Sequence, residues 1–68
     1  MADAVYKKIE IVGTSSESFT TAANNAVAKA GESVRDMRWF EVVEQRGRIS
    51  DGKAVEYQVT VRIGFRVD

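Results

Sequence analysis

The chain has 68 residues, ten basic and ten acidic, and contains no cysteine and no histidine. That limits it to a single domain spanning 1–68, excludes disulfides, leaves zinc without its usual ligands, and argues against affinity drawn from neutralising nucleic-acid phosphates. A domain this small buries only about 60% of the surface its unfolded chain exposes, so self-association is the expected source of the missing stability.

The opening "MADAVYKK" lacks the basic-then-apolar order of a signal peptide. No apolar run approaches the roughly 18 residues that span a bilayer. The expectation is a soluble, cytoplasmic protein. "VYKKIEIVG" then alternates apolar and polar residues and is rich in β-branched types, which predicts a first strand over 5–12 broken at Gly13. In "TSSE", Thr14 and Glu17 have the spacing of a capping box. Behind it, Phe19, Ala22, Ala23, Ala26, Val27 and Ala30 recur at helical intervals, with Gly31 as the stop. A stripe made mostly of alanine lets a helix lie close to what it covers while adding little buried area.

"MRWFEVVEQRGRI" reads as the second strand, with a bulge or bend at Gly47 that decides which of Arg46 and Arg48 points to a given face. Asp51-Gly52 is a strong two-residue turn signal. In the third strand Val55, Tyr57, Val59, Val61, Ile63, Phe65 and Val67 take every second position, and Glu56, Gln58, Thr60, Arg62, Gly64 and Arg66 sit between them. The order is β-α-β-β, an α+β fold with one helix on one face of a three-stranded antiparallel sheet.

Adjacent strand residues point to opposite faces. If Phe40 and Val42 face the helix with the apolar set of the third strand, then Trp39, Glu41 and Val43 face away, on the side of Gln58, Thr60 and Arg62. The opposite phase would bury Glu41 beneath the helix at a cost of several kcal/mol. The only tryptophan of the chain is therefore expected on the open, polar face. From pattern alone, packing against another subunit is the first reading of that ring and a ligand platform the second.

Catalytic signals are missing. Nucleophile chemistry has no histidine or cysteine to draw on, the hydroxyls of "TSSES" suit a helix start, and no carboxylate pair has spacing that forces a dyad. Gly13 ahead of a helix N-terminus is a weak phosphate signal, without the lysine and second glycine of a P-loop.

Three segments, "VYKKIEIVGTSSESFTTAANNAVAKA", "WFEVVEQRG" and "EYQVTVRIGFRV", together make nearly the whole chain similar to the dodecins, small β-α-β-β flavin-binding proteins that form hollow dodecamers. The resemblance implies that Trp39 stacks on a flavin ring, with two flavins paired between tryptophans of two-fold related subunits, and that Gln58 hydrogen-bonds the ring. It implies that Arg46, and with it Arg66 of "GFR", receives a phosphate or charged tail. The ligand implied is FMN, riboflavin or FAD, with coenzyme A a second ligand of some bacterial members. The function expected is non-enzymatic flavin storage in a homo-dodecamer, with rapid quenching of the excited flavin and no nucleic-acid or membrane partner. The competing reading is a structural or interaction homo-oligomer that needs no small molecule.

Overall fold

The computed structural model describes residues 3–68; residues 1 and 2, the start of the segment read for a leader peptide, lie outside the described residues. The elements are β1 (Tyr6–Ser15), α1 (Phe19–Ala30), β2 (Met37–Ser50) and β3 (Lys53–Arg66). They form a three-stranded sheet in the order β1-β3-β2, with both pairings antiparallel. The strand with the strictest alternation is thus the central one, and its odd-numbered residues build the core. Val59, Val61 and Ile63 are buried beside Ala22, Ala23, Ala26 and Ala30 of α1. Burying each of the three β3 side chains stabilises the fold by about 1.5–3 kcal/mol, while an alanine contributes much less.

Gly13 does not break β1, which continues to Ser15. It is instead where the helix comes down on the sheet. A Cβ at that position would lie 2.0 Å from the Ala22 carbonyl oxygen and 2.8 Å from the Ala26 Cβ. The alanine stripe and Gly13 are two sides of one close contact. The cap also differs from the expected Thr14 box. Ser18 is the N-cap, its Oγ accepting from the Thr21 backbone N–H at 3.0 Å, while Ser15 Oγ accepts from the Glu17 N–H at 2.9 Å. The strand simply runs too far for Thr14 to reach a helix N-terminus. Ser18→Ala should therefore lower stability by about 1 kcal/mol, read as a lower urea midpoint at fixed protein concentration, whereas Thr14→Ala should leave it nearly unchanged. The reverse result would restore the capping box.

The helix covers only part of the sheet. A helix roughly 10 Å across can lie over about two strands spaced about 4.8 Å apart, and α1 packs on β1 and β3. Phe40 and Val42 do point to the helix side, as Cα partners of Ile63 and Val61, yet they stay 49% and 47% exposed because no helix lies over β2. Lengthwise, twelve helical residues span about 18 Å, whereas fourteen strand residues reach roughly 46 Å. The β2–β3 hairpin consequently projects beyond the helix, and the molecule measures 57 × 20 × 13 Å. Its tip is the expected Asp51-Gly52 turn, with positive φ at both residues (53° and 73°) as a two-residue hairpin loop requires.

Gly47 is not a bulge; it pairs in register with Tyr57. The register shifts fall at Arg38, at Val43 and between Arg48 and Ile49. The shift at Val43 matters most. Trp39 and Arg46 are separated by an odd number of positions, so an uninterrupted strand would place them on opposite faces. The extra residue returns Arg46, and Arg48 after it, to the face that carries Trp39.

Candidate functional site

The face of the sheet away from α1 is arranged in cross-strand rows fixed by register. Lys8, Gly64 and Trp39 form one row, Glu10, Arg62 and Glu41 the next, then Val12, Thr60 and Glu44, and then Thr14, Gln58 and Arg46. Trp39 is 41% exposed. Its indole lies over Gly64, where an added Cβ would sit 2.3 Å from ring atoms Cε2 and Cζ2. It packs edge-to-face with Tyr6, with ring centroids 5.1 Å apart and planes at 65°. Arg66, the partner of Tyr6 in the β1–β3 register, donates from Nε to Asp68 Oδ1 at 2.6 Å. That hydrogen bond raises the Arg66 pKa further and holds the Asp68 carboxyl below its ordinary value.

The middle of the face is a band of charge. Lys8 Nζ reaches across the central strand to Glu41 Oε1 at 2.5 Å, and Arg62 Nε donates to Glu10 Oε1 at 2.8 Å. The hydrogen bond from Lys8 lowers the Glu41 pKa, and the one to Glu10 raises that of Arg62. A carboxyl whose folded pKa is depressed contributes stability above its unfolded pKa and loses it as pH falls through the folded value. These groups are exposed, so each pair contributes little by itself.

Toward the hairpin tip, Arg46 Nε donates to Gln58 Oε1 at 2.6 Å and Gln58 Nε2 donates to Glu56 Oε1 at 2.8 Å. Arg48 Nε stands 3.8 Å from the same carboxylate oxygen. Both arginines are on this face, and it is Arg46 that touches the amide. Held from both sides, Gln58 has a fixed orientation, with one N–H and part of its oxygen still free to bind.

The four residues singled out from the sequence thus fall into two pairs. Trp39 and Arg66 lie at one end of the face, and Gln58 and Arg46 at the other. Gly64, beside Trp39, and Gln58 are six positions apart on β3, about 20 Å along the strand. One chain does not bring the indole and the amide together. Tyr6, Glu56 and Asp68 were not singled out from the sequence. For Tyr6 the signal was its phase, since it shares parity with Lys8 and Glu10 on a strand whose other face is apolar.

In chemical terms the face offers an aromatic ring, a primary amide and several guanidinium groups. That set can hold a flat heteroaromatic molecule with an anionic tail. On the other side of the sheet an apolar groove of about 770 Å³ runs between β1 and α1, lined by Ile9, Ile11, Ala26, Ala30 and Val34 among others. No helix among the described residues is long and apolar enough to cross a membrane.

Comparison with known proteins gives one consistent answer. The family model Dodecin matches residues 5–68. The chain is 47% identical over 64 residues to a protein of Thermus thermophilus named dodecin, covering 94% of this chain and 93% of that one. It is 36% identical over 63 residues to the calcium dodecin of Mycobacterium tuberculosis, covering 93% and 89%. The solved dodecin structure from Streptomyces coelicolor superposes with a TM-score of 0.93 at 40% identity, covering 100% of this chain and 97% of that one.

Proposed function

The chain belongs to the dodecin family, and from that premise we propose that it is a non-catalytic cytoplasmic protein that binds and stores flavin in a closed homo-dodecamer. The observation that carries this reading is the exposed Trp39 ring on a polar sheet face. With the equally exposed Tyr6 beside it it makes an aromatic patch rimmed by charged residues, and a contiguous apolar patch with a polar rim marks a surface that meets something else. The residues fit the ligand: Trp39 supplies the stacking surface, Gln58 a matched donor and acceptor for the polar edge of the ring, and Arg46 with Arg66 the guanidinium groups for the phosphate of FMN or of coenzyme A.

Gly64, beneath the indole, and Gln58 are six positions apart on β3, about 20 Å of strand, which is longer than a three-ring heterocycle. In this reading a complete site takes Trp39 from one copy and Gln58 from another, so flavin binding needs the assembly. Exposed Phe40 and Val42 on β2 and the groove beside β1 are the apolar surfaces that such an assembly would cover, and covering strand edges protects them. When bound, a flavin supplies a light-absorbing, electron-accepting ring, and an indole in contact with it opens a non-radiative route for the excitation. The stacking surface reads the ring and not the tail, so FMN and riboflavin are both accepted.

Calcium, which names the mycobacterial relative, has less support here. Among the described residues no group of three or more carboxylate, histidine or cysteine side chains is placed to hold a metal ion. The structural homo-oligomer remains the competing reading, favoured by those same apolar surfaces. The deciding test is titration of FMN and riboflavin with flavin-free protein, following flavin emission. Strong quenching that saturates at one flavin per chain is expected. No quenching at micromolar protein would overturn the flavin reading and return Trp39 to subunit packing.

A further inference from the structure

Tyr6 and Trp39 belong to the two outer strands of the sheet, with the whole of β3 between them. Strands two apart are separated by about 9.5 Å, yet the ring centroids are 5.1 Å apart. The contact is possible because the residue of β3 beneath the indole is glycine. Any side chain at position 64 would push the indole from its place, since a Cβ alone would come within 2.3 Å of the ring. The backbone next to Trp39 is also irregular, with a register shift between Met37 and Trp39. A tryptophan on an edge strand beside such a shift has little of its own to fix its χ angles.

We infer that Tyr6 and Gly64 are positioning residues that hold the Trp39 indole across the central strand as a preset stacking surface. Gly64 gives the ring a seat, and Tyr6 stops it from swinging off that seat. An edge-to-face geometry suits the quadrupoles of the two rings, and it leaves the remaining ring surface outward. A ring already ordered before binding loses less freedom on stacking, which strengthens binding without adding a contact to the ligand. A purely structural account also exists, in which aromatic rings cover a strand glycine that would otherwise weaken the sheet. The two accounts differ in what they predict for the motion of the ring.

The ligand half of this inference rests on the flavin reading, whereas ring order is measurable without flavin. Because the chain has one tryptophan, steady-state anisotropy of the intrinsic emission reports on Trp39 alone. Tyr6→Leu in flavin-free, assembled protein should lower that anisotropy and weaken FMN binding about two- to ten-fold, and Tyr6→Phe should restore both. Gly64→Ala should shift the tryptophan emission and weaken FMN binding while the assembly, checked by sedimentation, stays intact. Unchanged anisotropy in Tyr6→Leu, even with a lower urea midpoint, would overturn the inference in favour of glycine cover. Lower anisotropy with unaltered FMN affinity would overturn it as well. If the unsubstituted protein bound no FMN, the flavin reading would fall, and the holding of the ring would be decided by anisotropy alone.

Discussion

Gly13→Ala should leave little assembled protein, with stability lowered by about 3 kcal/mol, the upper end of what forced overpacking costs. The added methyl would meet main chain as well as side chain, at 2.0 Å from the Ala22 oxygen and 3.0 Å from the Ala22 carbonyl carbon. Neither of those atoms can swing aside. To make room α1 must rise off β1, and the four alanines that touch the core would lose contact together. A domain of this length has on the order of 3–10 kcal/mol of stability in total. Far-UV circular dichroism in urea at fixed protein concentration, with sedimentation to follow the oligomer, measures the loss. Gly52→Ala is the comparison. Its φ of 73° strains an alanine, but no other atom lies within 4 Å, so a loss of only about 1 kcal/mol is expected there. A wild-type urea midpoint for Gly13→Ala would mean that the helix does not dock at that residue.

Trp39→Ala should separate binding from assembly. Removing the ring takes away aromatic stacking, which is worth about 1–3 kcal/mol per ring by analogy with bases on aromatic side chains, so FMN affinity should fall roughly 5- to 150-fold. Flavin emission should no longer be quenched, while sedimentation still shows the oligomer. If Trp39 is instead a subunit packer, the same variant should dissociate, because truncating a large buried aromatic costs about 3–5 kcal/mol. Unchanged quenching with an intact oligomer would overturn both roles.

The helix, its alanine stripe and the central strand were legible in the sequence because each depends on local periodicity. Placing Trp39 on the open face followed from the cost of burying Glu41. Parity carries such an argument only as far as the next inserted residue. Nothing in "EVVEQ" marks Val43 as the point where the register slips, and the face of Arg46 turns on it. The strand order β1-β3-β2 and the narrow reach of α1 are likewise tertiary facts. They explain why Phe40 and Val42 point toward the helix side and remain uncovered. Gly13 has the composition of a breaker and serves as a contact, because a glycine at the end of an alternating run reads the same in either case. The distance between Trp39 and Gln58 could have been counted along β3, but only once the register placed Gly64 beside the indole.

Strand order also sets a sequence of events for each newly made chain. β3 is synthesised last of the three strands, yet it is the strand that β1 pairs with and, with β1, the floor on which α1 rests. Some 37 residues separate the end of β1 from the start of β3, roughly 2–8 seconds at ordinary rates of translation. Pairings this distant in sequence are also slow to close once the chain is free. Until β3 is made, β1 has no partner strand, and an unpaired β-rich segment is the kind of stretch that pairs with another copy of itself. Lys7, Lys8 and Glu10 interrupt its apolar residues with charge. Charges so placed disfavour pairing with another copy of the same segment, the general way in which apolar strands are guarded before they fold.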